Sequence, residues 1–113
     1  AQLPEVGPYR DIPEIADTTK EMVHDVIEAF IDRDPEAARE IIARDDKVDE
    51  LYHKVNRELI EMMRKKDDIV KTATHLQSVA KHLERMADHT TNLAEQVVFM
   101  VRGQDIRHHG KRA

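Results

Sequence analysis

The chain has 113 residues, no Cys, 36% charged residues, 4% aromatics and a formal net charge of −5. That length makes one small domain with a single core, and the lack of Cys excludes disulfides, thiolate metal sites and Cys nucleophiles. The acidic balance argues against nucleic acid as a ligand.

No run approaches the ~18 apolar residues of a membrane span. The start, Ala1-Gln2-Leu3-Pro4-Glu5-Val6-Gly7-Pro8, carries neither a basic nor an apolar leader pattern. A cytoplasmic protein without membrane insertion is expected. Helix formers dominate and strand formers are not grouped, so the expected fold class is all-α, a three-helix up-down-up antiparallel bundle.

Residues 1–10, with Pro4, Gly7 and Pro8, read as an extended lead-in or the remnant of a linker. Asp11 is placed to cap a helix that accepts Pro13 in its first turn. Ile12, Ile15, Thr19, Met22, Val26 and Phe30 then follow a 3–4 spacing, widened by Val23, Ile27 and Ile31. This helix should end near Asp32-Arg33. Asp34-Pro35 joins an N-cap to Pro at N1 and opens a second helix. Its stripe runs Ala38, Ile41, Asp45, Val48, Tyr52, Val55, Leu59, Met62. Asp45 takes a position that the pattern reserves for an apolar residue, and Asp49 stands about 40° to one side. A carboxylate in a seam must find partners or stay neutral.

Lys65-Lys66 and Asp67-Asp68 suit the dipoles of one helix ending and another beginning. So short a junction predicts an antiparallel hairpin. A single helix continuous through residues 65–68, uninterrupted by Gly or Pro, is the alternative and would separate the acidic pairs described below. The third stripe reads Ile69, Ala73, Leu76, Ala80, Leu83, Ala87, Thr90, Ala94, Val97, Val101, and Val79, Met86, Leu93 and Met100 widen it on one side only. This heptad predicts near-parallel, coiled-coil-like packing, and Gly103 is a C′ stop. The bundle spans 11–102, with 103–113 as a C-terminal tail.

Two i,i+4 carboxylate pairs stand out: Asp45 with Asp49, and Glu84 with Asp88. Each pair stacks on one helix face, roughly 6 Å apart along the axis. The pairs lie symmetrically about Lys66-Asp67, so folding back brings Asp45 level with Asp88 and Asp49 level with Glu84. Like charges this close repel, which a bound cation relieves. Oxygen donors suit hard cations, iron or manganese, and His or water would complete a zinc shell. Asn92 follows one turn after Asp88, whereas Glu95, ~10 Å along the axis, joins only an extended, multinuclear site. The plain alternative is a solvated acidic face.

His75, His82 and His89 recur every seven residues but stand about 10.5 Å apart along the axis, too far to share an ion, and read as a solvated row. Glu21-x-x-His24 and Glu50-x-x-His53 match the spacing of di-iron carboxylate bundles, but that chemistry needs inward ligands from four helices. His24 and Glu50 are expected to point outward.

At Asp45-x-x-Val48-Asp49, and at Leu83-Glu84-Arg85-Met86-Ala87-Asp88-His89-Thr90-Thr91-Asn92-Leu93-Ala94-Glu95, the chain resembles the PhoU family of phosphate-uptake regulators. His24-Asp25-Val26-Ile27-Glu28-Ala29-Phe30 and the tail Gly103-Gln104-Asp105-Ile106-Arg107-His108 are similar to it as well. The resemblance implies a three-helix bundle, usually present twice in tandem, here as a single repeat closest to the C-terminal half. The chain is then a fragment of a tandem protein or a half-length protein that forms a homodimer. The resemblance further implies multinuclear iron or other metal ions, zinc included, at Asp45, Asp49, Glu84 and Asp88, with Asn92 and Glu95 following. It implies a non-enzymatic negative regulator that contacts the phosphate ABC transporter and a sensor histidine kinase. A metal-free helical adaptor with an acidic docking face is the second expectation, and a metal-dependent oxidase the third.

Overall fold

Three helices follow one another in the computed structural model, which describes residues 7–103: α1 (Gly7–Asp32), α2 (Pro35–Lys65) and α3 (Val70–Arg102). The expected three-helix bundle is the fold, with each helix packed on the other two. No helix among the described residues is long and apolar enough to cross a membrane. Residues 1–6 of the expected lead-in and 104–113 of the expected tail lie outside the described residues.

The first helix starts earlier than its sequence suggests. Gly7 to Arg10 are already helical, and Pro13 lies inside α1 instead of in its first turn. Asp11 does not cap. It is buried, and Lys54 of α2 approaches to 3.0 Å, so a partner helix neutralises a carboxylate that local rules assign to a cap. Pro8 in the first turn takes the place where a missing N–H costs nothing.

Between α1 and α2 the chain reverses through Arg33, whose φ of 53° is left-handed. Asp34 N–H donates to the Ala29 carbonyl at 2.9 Å and Arg33 N–H to that of Phe30 at 3.3 Å, the paired bonds of a Schellman stop. Asp34 then caps α2 as expected, its side chain accepting from the N–H groups of Glu36 and Ala37 at 3.1 Å each. Between α2 and α3, Lys66 adopts an extended backbone and Asp67–Ile69 make one 3-10 turn. The hairpin forms and the continuous helix does not. Gly103, at φ 67°, closes α3 by donating to the Phe99 carbonyl at 2.8 Å.

The core follows the sequence stripes closely. Ile15, Met22, Ile41, Val48, Val55 and Leu59 are fully enclosed, and α3 contributes the column Ala73, Ala80, Ala87, Ala94. Methyl-sized side chains every seven residues let α3 lie close to its neighbours along much of its length. Thr90 and Thr91, also buried, return their hydroxyls to the Met86 and Ala87 carbonyls at 2.8 and 3.1 Å.

The widening residues behave differently. Phe30, placed in the α1 stripe, is 59% exposed, and Ile27 and Ile31 beside it are exposed too. Val79, Met86, Leu93 and Met100 are likewise exposed along α3. Each helix has only two neighbours, which cover the centre of its stripe and leave that flank to solvent.

Acid–base pairs fix the register of α1 against α2. Asp11 meets Lys54, Glu14 meets Lys47 at 3.4 Å, and Asp25 meets Arg44 at 2.7 Å, with the acid on α1 and the base on α2 each time. The Arg44 hydrogen bond, with a second from His24, holds the Asp25 carboxyl below its ordinary range. The hydrogen bond to Asp11 raises the Lys54 ammonium above its own.

Candidate functional site

Folding α3 back on α2 brings Asp49, Glu84 and Asp88 into one surface depression of about 460 Å³, with Tyr52, His53, Lys81 and Arg85 in the same wall. Asp49 comes from α2, one turn after Asp45, and the other two from α3, one turn apart. The mirrored spacing in the sequence therefore becomes a shared face. Asp45 is fully enclosed in the α2 seam and does not line the depression. Asn92, half-buried, and Glu95, buried, lie outside it as well. Three of the six candidate ligands are thus together and three are not.

The wall already contains counter-groups. Asp49 Oδ1 is 3.3 Å from His53 Nε2, and Glu84 Oε1 is 3.8 Å from Lys81 Nζ. Lys81 also stands 5.6 Å over the Tyr52 ring, a cation–π contact between the two helices. The Glu84 side chain is only 12% exposed, so its charge is partly desolvated and depends on such neighbours. Three carboxylates on one concave wall are the donor chemistry of a hard cation, although they do not bring three ligand atoms within 4.8 Å of one another.

Among the described residues, three ligand atoms come within 4.8 Å of one another only at His24, Asp25 and Glu28. The sequence reading weighed His24 with Glu21 and missed this trio, although His24-Asp25 and the i,i+4 pair with Glu28 are visible in the string. The trio is open to solvent and Asp25 is held by Arg44, so the guanidinium already satisfies the best carboxylate. Glu21, His24, Glu50 and His53 are all exposed, which leaves the di-iron pattern without an interior. His75, His82 and His89 are exposed too, as their spacing predicts, and His82 donates Nδ1–H to the Ser78 carbonyl at 2.7 Å.

An all-α bundle with a carboxylate-lined face between its second and third helices is the class that fold and site define. The PhoU domain matches residues 12–97, and the chain belongs to that family. It is 40% identical over 108 residues to the phosphate-specific transport system accessory protein PhoU homolog of Aquifex aeolicus, covering 96% of this chain and 49% of that protein. It is 39% identical over 101 residues to PhoU homolog 2 of Thermotoga maritima, covering 89% and 43%. The Zymomonas mobilis homolog is 36% identical over 108 residues, with 94% and 46% covered. The chain spans about half the length of these relatives, which are named as accessory proteins of phosphate-specific transport.

Proposed function

We propose that this chain is a non-enzymatic, cytoplasmic regulator of phosphate uptake and of phosphate-starvation signalling. It acts by protein contact with the phosphate ABC transporter and its sensor histidine kinase, and it works as a pair of bundles. The names of its relatives support the transport role. The convergence of Asp49, Glu84 and Asp88 on one depression carries the site. In this reading those three carboxylates hold one or more metal ions, iron or zinc among the candidates. Asp45 supports them from the seam, and Asn92 and Glu95 extend the acidic helix face. A bound cation would neutralise the wall and tie α2 to α3 there; His53 and Lys81 would turn to solvent or to a partner.

A second reading keeps the regulator and leaves the face metal-free, as an acidic dock for a basic partner. The existing contacts of Asp49 with His53 and Glu84 with Lys81 favour it, since the wall is partly neutralised without an ion. Elemental analysis of untagged protein separates the two. The metal reading expects iron or zinc to be retained after desalting, and Asp88→Asn to reduce it at least about tenfold. Metal-free protein whose binding to the transporter is lost in Asp88→Asn would support the docking face.

A further inference from the structure

The wall between α2 and α3 carries a cation of its own. Lys81 stands three residues before Glu84, and Tyr52 three residues after Asp49, so the mirror that aligns the carboxylates aligns this pair too. The hairpin brings the Lys81 ammonium to 5.6 Å from the centre of the Tyr52 ring, inside the ~6 Å reach of a cation–π contact. On its own helix the same ammonium lies 3.8 Å from Glu84 Oε1. One charge therefore serves a carboxylate of α3 and a ring of α2 in the wall of a single depression.

Two observations say that this charge is needed. The Glu84 side chain is 12% exposed, and a carboxylate so enclosed requires positive charge beside it. The three carboxylates also stop short of a cage, since they do not bring three ligand atoms within 4.8 Å of one another. They are instead balanced separately, Asp49 by His53 on α2 and Glu84 by Lys81 on α3. The two counter-groups differ. His53 lies 3.3 Å from Asp49 on the same helix and is 60% exposed, whereas Lys81 spans the helix pair as well. At 3.8 Å the Lys81 ammonium is in ion-pair range but beyond a strong hydrogen bond, so it is displaceable.

We infer that Lys81 is the built-in counter-cation of this wall: its ammonium, held by Glu84 and the Tyr52 ring, supplies the positive charge that a divalent ion must displace. The inference rests on the metal reading of the wall and adds what sets the affinity there. Lysine suits the task, because its charge is a compact point on a flexible stem that leaves a carboxylate without moving the backbone. Ion and ammonium compete for Glu84, so removing the ammonium favours the ion. Arg85 shares the wall and carries the same charge. One residue on from Glu84, however, it leaves the helix about 100° away.

The full chain, stripped of metal with a chelator and titrated with Mn²⁺ at low salt, tests this. Lys81→Met keeps an unbranched stem and loses the charge; it should bind Mn²⁺ on the order of tenfold more tightly than the unmodified chain. Arg85→Met, an equal change of charge in the same wall, should shift affinity by less than about threefold. Lys81→Arg should restore the original value. In ion-free melts Lys81→Met should lower the midpoint by about 2 °C. At least half of that drop should disappear in a Glu84→Gln background, where the carboxylate no longer needs balancing. A Lys81→Met chain that binds no more tightly, or gains no more than Arg85→Met, overturns the inference. So does a drop in midpoint less than halved by Glu84→Gln, since Lys81 then acts through Tyr52 alone. A chain that takes up no Mn²⁺ with or without Lys81 defeats the metal reading instead, and the melts then decide for or against the counter-cation.

Discussion

Asp25 and Arg44 meet at 2.7 Å across α1 and α2, with the Asp25 side chain 41% exposed. Exposure keeps the pair's contribution modest, about 0.2–1 kcal/mol after solvent screening. Its sign with pH is nevertheless fixed. The folded carboxyl titrates below its ordinary value of 3.8, chiefly through the Arg44 hydrogen bond and next through His24. Stability from the pair is therefore fully present above that ordinary value and is lost as pH falls through the lower folded one. Asp25→Asn should lower the melting temperature at pH 7 and make no difference near pH 2, as read by thermal melts of the two proteins. A gap that persists in acid would mean that the side chain acts by packing. Lys54 runs the other way: its folded ammonium titrates above 10.5, so the Asp11 contact fades only as pH rises through that higher value.

Within the elements, the Ala column of α3 is the most constrained feature. Ala73, Ala80, Ala87 and Ala94 are all fully enclosed, and Ala87 sits between Glu84 and Asp88 in sequence. Ala87→Leu adds three carbons where the helices lie close and should cost about 1–3 kcal/mol by overpacking. It should also push α3 from α2 and widen the carboxylate depression. Denaturant melts measure the first effect; an unchanged midpoint would show that the seam has slack.

The same helix marks how far periodicity reads. It places the Ala column, Thr90 and Val97 inside, because a repeat of seven identifies the centre of a buried stripe. The flank is another matter. Met86 and Leu93 widen the stripe on one side in the string and are half exposed, since burial there depends on whether a further helix is present. The site divides likewise. Asp45 betrays itself by interrupting an apolar row, and mirrored spacing brings Asp49 to Glu84 and Asp88. The Lys81 and Arg85 that share their wall, and the bases that answer Asp11, Glu14 and Asp25, depend on contacts between helices that no single helix's period contains.

The whole molecule is a slab of 52 × 28 × 16 Å, thin enough that each helix is covered from two sides at most. Among the features this leaves at the surface of the described residues are a carboxylate depression between α2 and α3 and an apolar face along α1 and α3. If a second copy covers the apolar face, folding and association are one equilibrium, and stability depends on protein concentration. A tenfold change in protomer concentration is worth about 1.4 kcal/mol per dimer; spread over two chains of this length, it moves the midpoint by about 3 °C. Thermal melts from low to high micromolar protein should therefore climb by that step per decade. Leu93→Glu should flatten the series, because a monomer unfolds at the same temperature whatever its concentration. A flat series for the unmodified chain would mean that the bundle is stable with its apolar face open, and the second copy would have no part in its fold.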